Sequence, residues 1–109
     1  MELIQKVCKS CEGGTPPLKM AEIKKFMPQV AGWKVVKGKL EKTFKFKDFV
    51  TAIKFINKIA LLAEREGHHP DFTLFSWNKI KFVLYTHAIN GLSENDFISA
   101  AKINALQRK

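Results

Sequence analysis

Arginine, histidine and cysteine are scarce in this chain, and long apolar runs are missing. Only Arg65 and Arg108 are arginines; the rest of the 19 basic residues are lysines. Arginine is the usual reader of phosphate and base edges, so the formal charge of +9 argues only weakly for nucleic acid. The lysines are also scattered: Lys34, Lys37, Lys39, Lys42, Lys45 and Lys47, then Lys54 and Lys58, then Lys79 and Lys81. That distribution reads as a solvated surface able to steer an anionic partner, and nucleic-acid binding ranks last. No apolar stretch approaches the ~20 residues that span a bilayer. Met1 to Lys6 lack the apolar core of a secretory signal. The expectation is a soluble, cytoplasmic protein without a membrane partner.

The only two cysteines, Cys8 and Cys11, form a single CxxC. A structural zinc site needs four ligands, so this pair would complete one only across a dimer. A redox CxxC opens a helix in a thioredoxin-like fold, whereas Gly13-Gly14-Thr15-Pro16-Pro17 follows here. The pair reads as structural or incidental. It lies on residues 1–17, expected to be a mobile N-terminal arm ending in Gly and Pro punctuation.

What is present suits one domain, 1–109. The chain has 109 residues and 46% hydrophobic content, enough for a core. A domain this small leaves apolar surface exposed, and oligomerisation is a natural remedy. Leu18 to Val30 reads as a helix with Ile23, Phe26, Met27 and Val30 on one face and Pro28 fraying its end. Gly32 to Phe46 reads as a hairpin with Gly38 near a turn of undetermined type. Asp48 to Glu66 carries an apolar stripe of Phe49, Ile53, Ile56, Ala60 and Ala63, widened by Val50, Phe55, Ile59 and Leu62. That surface exceeds what one sheet face needs to cover, which predicts burial against a second subunit; Gly67 caps the helix. Asp71 to Trp77 and Lys79 to His87 read as strands. The second alternates Ile80, Phe82 and Leu84 with Lys81, Val83 and Tyr85, which would put His87 on the latter face. Ser93 to Lys109 is the last helix, capped by Ser93 with Asp96 at its third position and Phe97, Ala100, Ala101 and Ile103 buried. The order α-β-β-α-β-β-α predicts an α+β two-layer sandwich: a four-stranded antiparallel sheet with three helices on one face.

The three histidines all fall in one region, at His68-His69-Pro70 and Thr86-His87. Imidazole has an unperturbed pKa of ~6.5, next to physiological pH, so such a concentration suits proton transfer. Adjacent residues in an extended segment point to opposite sides, so His68 and His69 cannot duplicate one another. If the two strands pair as neighbours, ~4.8 Å apart, His87 approaches them despite the sequence gap. Glu64 and Asp96 could orient or charge-stabilise the rings. Plainer readings stand beside these. A lone histidine is more often structural than catalytic, though three together shift the balance toward a site. On sequence alone Asp96 reads first as a helix cap, Glu64 as a solvated helix residue, Pro70 as a fix on strand entry. Trp77 reads as packing, although an aromatic can also flank a planar ring.

The segment Glu64-Arg65-Glu66-Gly67-His68-His69-Pro70-Asp71, then Trp77-Asn78-Lys79-Ile80-Lys81-Phe82-Val83-Leu84-Tyr85-Thr86-His87, then Gly91-Leu92-Ser93-Glu94-Asn95-Asp96-Phe97, resembles the signature of the pterin-4a-carbinolamine dehydratases. The resemblance runs from about Phe49 to Leu106. It continues more loosely through Cys8, Cys11, Gly14, Pro17-Leu18 and Gly32-Trp33. It implies a hydro-lyase that dehydrates a 4a-hydroxytetrahydropterin to the quinonoid dihydropterin in tetrahydrobiopterin recycling, with no metal or organic cofactor. By position, His68, His69 and His87 match the family's active-site histidines; we expect His68 and His87 to be the proton-transfer pair, with His69 assisting. Asp96 and Glu64 match the family's acidic residues, with Pro70 and Trp77 supporting. The resemblance also implies a dimer or tetramer built through the 48–66 helix. One departure is visible: between Pro70 and Asn78 this chain is one residue longer than the pattern. A bulge is expected to absorb it, because Asn78 to His87 keeps its spacing.

Two rival readings differ in class. Vertebrate relatives double as dimerisation cofactors of a homeodomain transcription factor, and the over-apolar helix would suit a non-catalytic interaction scaffold. A tri-histidine metal site is the other, since catalytic zinc uses three His plus water; the diverging adjacent pair argues against it.

Overall fold

The computed structural model describes residues 2–8 and 16–107. Cys11, the second half of the CxxC, lies outside the described residues. The chain forms α1 (Met20–Phe26), β1 (Lys34–Val36), β2 (Lys39–Lys45), α2 (Phe49–Glu66), β3 (Asp71–Phe75), β4 (Lys79–Leu84) and α3 (Glu94–Gln107). All neighbouring strands are antiparallel, in the order β1-β2-β4-β3. This is the expected α+β sandwich, with β3 as an edge strand.

Local chemistry sets most of the boundaries. The Asp48 carboxylate accepts the Thr51 N–H at 2.8 Å and starts α2; Gly67, at φ +67° and donating its N–H to the Ala63 carbonyl, ends it. Pro28 cannot extend α1, which tightens into a 3-10 turn over Met27–Gln29 instead of running to Val30. Lys37 and Gly38 both take positive φ, the two-residue turn that matches strand twist in a hairpin.

The β3–β4 ladder is unbroken from Asp71↔Val83 to Phe75↔Lys79, so no bulge absorbs an additional residue there. The hairpin closes instead through Ser76, Trp77 and Asn78, with Ser76 and Trp77 at positive φ. A turn can lengthen without disturbing side-chain facing, whereas a bulge must break ladder bonds. Asn78 is buried and anchors this turn: its amide donates to the Phe46 carbonyl at 2.9 Å, and its carbonyl accepts the Phe46 N–H at 2.8 Å.

One sheet face carries the core. Leu40 and Phe44 of β2 and Ile80, Phe82 and Leu84 of β4 are buried beneath Ala52, Phe55, Ile59 and Leu62 of α2. The edge-to-face ring pairs Phe44–Phe82 and Phe55–Phe82, at 5.7 and 6.0 Å, make Phe82 the hub. The core face of α2 leaves Phe49, Val50, Ile53 and Leu61 exposed. Helix α3 is buried more completely than its sequence suggests, over a continuous stretch from Asn95 to Ala101. Phe26 of α1 packs tilted against Phe97, ring centroids 5.4 Å apart, and the N-terminal segment also lies on α3. Residues 2–8, which the sequence places in a mobile arm, are seated here: Leu3 is fully buried and donates its N–H to Gln29.

Candidate active site

The fold gathers the C-terminal end of α2, the start of β3, the end of β4 and the start of α3 at one end of the sheet. Beyond Gly67 the chain runs extended through His68-His69-Pro70 into β3, and the two imidazoles diverge as alternation requires. His68 turns inward, with Nε2 2.6 Å from Asp96 Oδ1. His69 turns along α2, with Nε2 2.6 Å from Glu64 Oε2.

Asp96 is the centre of the arrangement. It is 0% exposed, and both of its oxygens are engaged. Oδ2 accepts from the Ser93 N–H at 2.9 Å and from the Thr86 hydroxyl at 2.8 Å, while Oδ1 takes His68. Thr86 also shares a hydroxyl contact with Ser93 at 2.8 Å. The carboxylate therefore caps α3 and binds the histidine at once, joining the two readings that the sequence left apart. A buried carboxylate is tolerable only with such partners. It also orients the ring: a carboxylate oxygen can only accept, so Nε2 carries the proton in this contact.

His87 is not on β4. The strand ends at Leu84, because Thr86 leaves the ladder for Gly91 and Asp96, and His87 opens a 3-10 turn over His87–Ile89. It is exposed and packs edge-on against Tyr85, at 5.1 Å between ring centroids. Its tie to the other histidines runs through Thr86, its immediate neighbour.

A hollow of about 330 Å³ lies between α2 and β3. Ile56, Ala60 and Ala63 form its helix side and Phe72 its strand side, with Glu64, His69 and Pro70 on the same wall. This is the low end of small-molecule pockets, and the lining is mostly apolar with a few polar groups, as such pockets are. His68 and His87 do not line it. The His69–Glu64 pair on its wall is exposed, so it orients rather than stabilises. Trp77 is not brought to the site. It sits in the β3–β4 turn, at the end of the hairpin opposite Pro70, and is 61% exposed. No group of three or more His, Cys, Asp or Glu side chains among the described residues is spaced to hold a metal. No helix among them is long and apolar enough to cross a membrane.

Sequence reasoning missed Thr86 as an Asp96 donor and Phe72, Ile56 and Ala60 as pocket walls. The only hint was a β-branched hydroxyl directly before a histidine; the walls depend on how α2 lies across the sheet.

Comparison with known proteins agrees with the fold and names a family. The profile of the family described as "Pterin 4 alpha carbinolamine dehydratase" matches residues 16–106. A protein of Alkaliphilus metalliredigens, provisionally named a pterin-4-alpha-carbinolamine dehydratase, is 50% identical over 107 residues, covering 96% of each chain. A Nitrosomonas europaea protein of the same provisional name is 45% identical, covering 96% of this chain and 93% of that protein. The crystal structure of a "transcriptional coactivator/pterin dehydratase" from Brucella melitensis superposes with a TM-score of 0.78 at 36% identity, over 83% of this chain and 97% of that one. With nearly the whole fold and all three histidine positions inside the matched span, the chain belongs to the pterin 4 alpha carbinolamine dehydratase family.

Proposed function

We propose that this protein dehydrates a 4a-hydroxytetrahydropterin to the quinonoid dihydropterin in the cytoplasm, within tetrahydrobiopterin recycling. The C4a–O bond breaks, N5 loses its proton, and a C4a=N5 double bond forms with release of water. Two proton transfers are required: one to the departing hydroxyl and one from N5–H. Groups that titrate near neutrality suit both. His68 and His87 supply the pair from the end of the sheet where α2, β3, β4 and α3 meet, and His69 with Glu64 borders the neighbouring apolar hollow, which neither of the pair lines.

The observation that carries this reading is the double grip of Asp96. One oxygen holds His68 and the other holds Thr86, so a single buried carboxylate ties together the two segments that bear the histidines. Self-association through the exposed Phe49, Val50, Ile53 and Leu61 face of α2 belongs to the same proposal. That face, with the name of the Brucella structure, also supports a second role as an interaction scaffold.

Single and double alanine variants of His68 and His87 test the assignment on a synthetic carbinolamine. Each single variant should lose ~10²–10⁴-fold in kcat, with a double loss well short of additive. Unchanged turnover in His87→Ala would remove that residue from the mechanism.

A further inference from the structure

The N-terminal segment touches the site from behind. Glu66, the last residue of α2, has a side chain only 4% exposed. Its Oε1 accepts the Cys8 backbone N–H at 2.9 Å and its Oε2 pairs with Lys102 of α3 at 3.0 Å. Burial pushes the Glu66 carboxyl up, but the Cys8 N–H, the Lys102 hydrogen bond and the Lys102 charge outweigh it, and its pKa is lowered. Two residues earlier in the segment, Lys6 pairs with Glu94 at the start of α3 at 2.5 Å. Leu3, fully buried, fixes the other end.

The sequence offsets make this arrangement consequential. Glu66 stands two residues before His68, and Glu94 stands two residues before Asp96. One short segment thus holds both elements whose relative placement sets the 2.6 Å His68–Asp96 contact. Between Glu66 and His68 lies only Gly67, exposed, with open space around its Cβ position and its N–H given to the Ala63 carbonyl, so the helix end that Glu66 anchors passes its placement to His68 through one residue. From this geometry we propose that Glu66, clamped by Leu3–Cys8, is a positioning residue that holds His68 against Asp96. The inference rests on the dehydratase reading for its kinetic consequence, but not for its structural one.

A carboxylate at 2.6 Å from an imidazole N–H should give a downfield proton resonance, assignable to His68 by its loss in His68→Ala. We expect that signal in the full-length protein and in Glu66→Gln, whose amide oxygen still accepts from Cys8. It should broaden or vanish in Glu66→Ala. Cys8→Pro deletes the donor and leaves Glu66 in place; it should reproduce the effect, while Cys8→Ser, which keeps the N–H, should not. It also stands in for Glu66→Ala if that variant does not fold. In turnover, Glu66→Ala should lose ~10–100-fold in kcat with KM nearly unchanged, the scale of a small misplacement of a reacting group. In a His68→Ala background it should lose nothing more. An intact signal and wild-type kcat in both Glu66→Ala and Cys8→Pro would overturn the proposal, as would an undiminished kcat loss in the His68→Ala background. A wild-type protein that leaves the carbinolamine at its spontaneous rate would instead defeat the dehydratase reading, and the proton signal would still decide the role of Glu66.

Discussion

Replacing Asp96 with Asn keeps the shape of the site and changes one proton. Asp96 is fully buried, with Oδ2 facing two donors, the Ser93 N–H and the Thr86 hydroxyl. An amide nitrogen placed there would set donor against donor. The Asn oxygen must therefore keep the Oδ2 position, which turns its NH2 toward His68. That reverses the hydrogen bond: Nε2 must accept, and the proton moves to Nδ1, which is then no longer a base. Three charge-assisted bonds worth about 1.5–3 kcal/mol each become neutral ones of about 0.5–1.5, so roughly 3–4.5 kcal/mol of stability is lost. At about 4–8 °C per kcal/mol for a domain of this size, the melting point falls by ~12–36 °C. If the protein stays folded at assay temperature, kcat should drop at least ~10²-fold, the usual contribution of a positioned acid–base group. Calorimetry and a stopped-flow assay on synthetic carbinolamine give the two numbers. Wild-type kcat in folded Asp96→Asn would refute the role given to the His68 tautomer.

Other expectations follow from the same coordinates. Trp77 holds φ +57° in an exposed turn far from the histidines, a backbone conformation costing a side chain about 1 kcal/mol. Trp77→Gly should leave turnover unchanged and the melting point equal or higher; a loss of turnover would return Trp77 to the site. Burial raises the Cys8 thiol to about 11, with the Ser99 contact opposing and Glu66 reinforcing the rise. At pH 8 its alkylation, followed by mass spectrometry, should run ~100-fold or more below that of the denatured chain, where a thiol titrates near ~8.5. The sign is that of a raised pKa: the stabilising contribution is full below the unfolded value and disappears as pH climbs through about 11. Rapid alkylation at pH 8 would mean that residues 2–8 are not docked.

The strand alternation of Ile80, Phe82 and Leu84 and the Asp48 and Gly67 ends of α2 were legible because each is a local rule. The same rules placed Ser93 and Asp96 at the start of α3. Legibility stopped where a residue answers to a distant partner. Thr86 leaves its strand for Gly91 and Asp96, so His87 falls in a 3-10 turn rather than on β4. Leu3, with the apolar but exposed Ile4 beside it, gives no periodic signal, yet it is fully buried behind α3. The His68–Asp96 pairing spans 28 residues, and the hollow beside His69 exists only because α2 leaves Phe72 of the edge strand partly uncovered. The histidine cluster was visible in the chain; which carboxylate held which ring was not.

The most direct test is the rate at which purified protein consumes a synthetic 4a-carbinolamine across pH 5 to 9, measured against buffer alone. Acceleration far above the spontaneous rate, bell-shaped about neutrality and abolished in His68→Ala, is the predicted result. A rate equal to that of buffer, or one indifferent to the loss of His68, would contradict it.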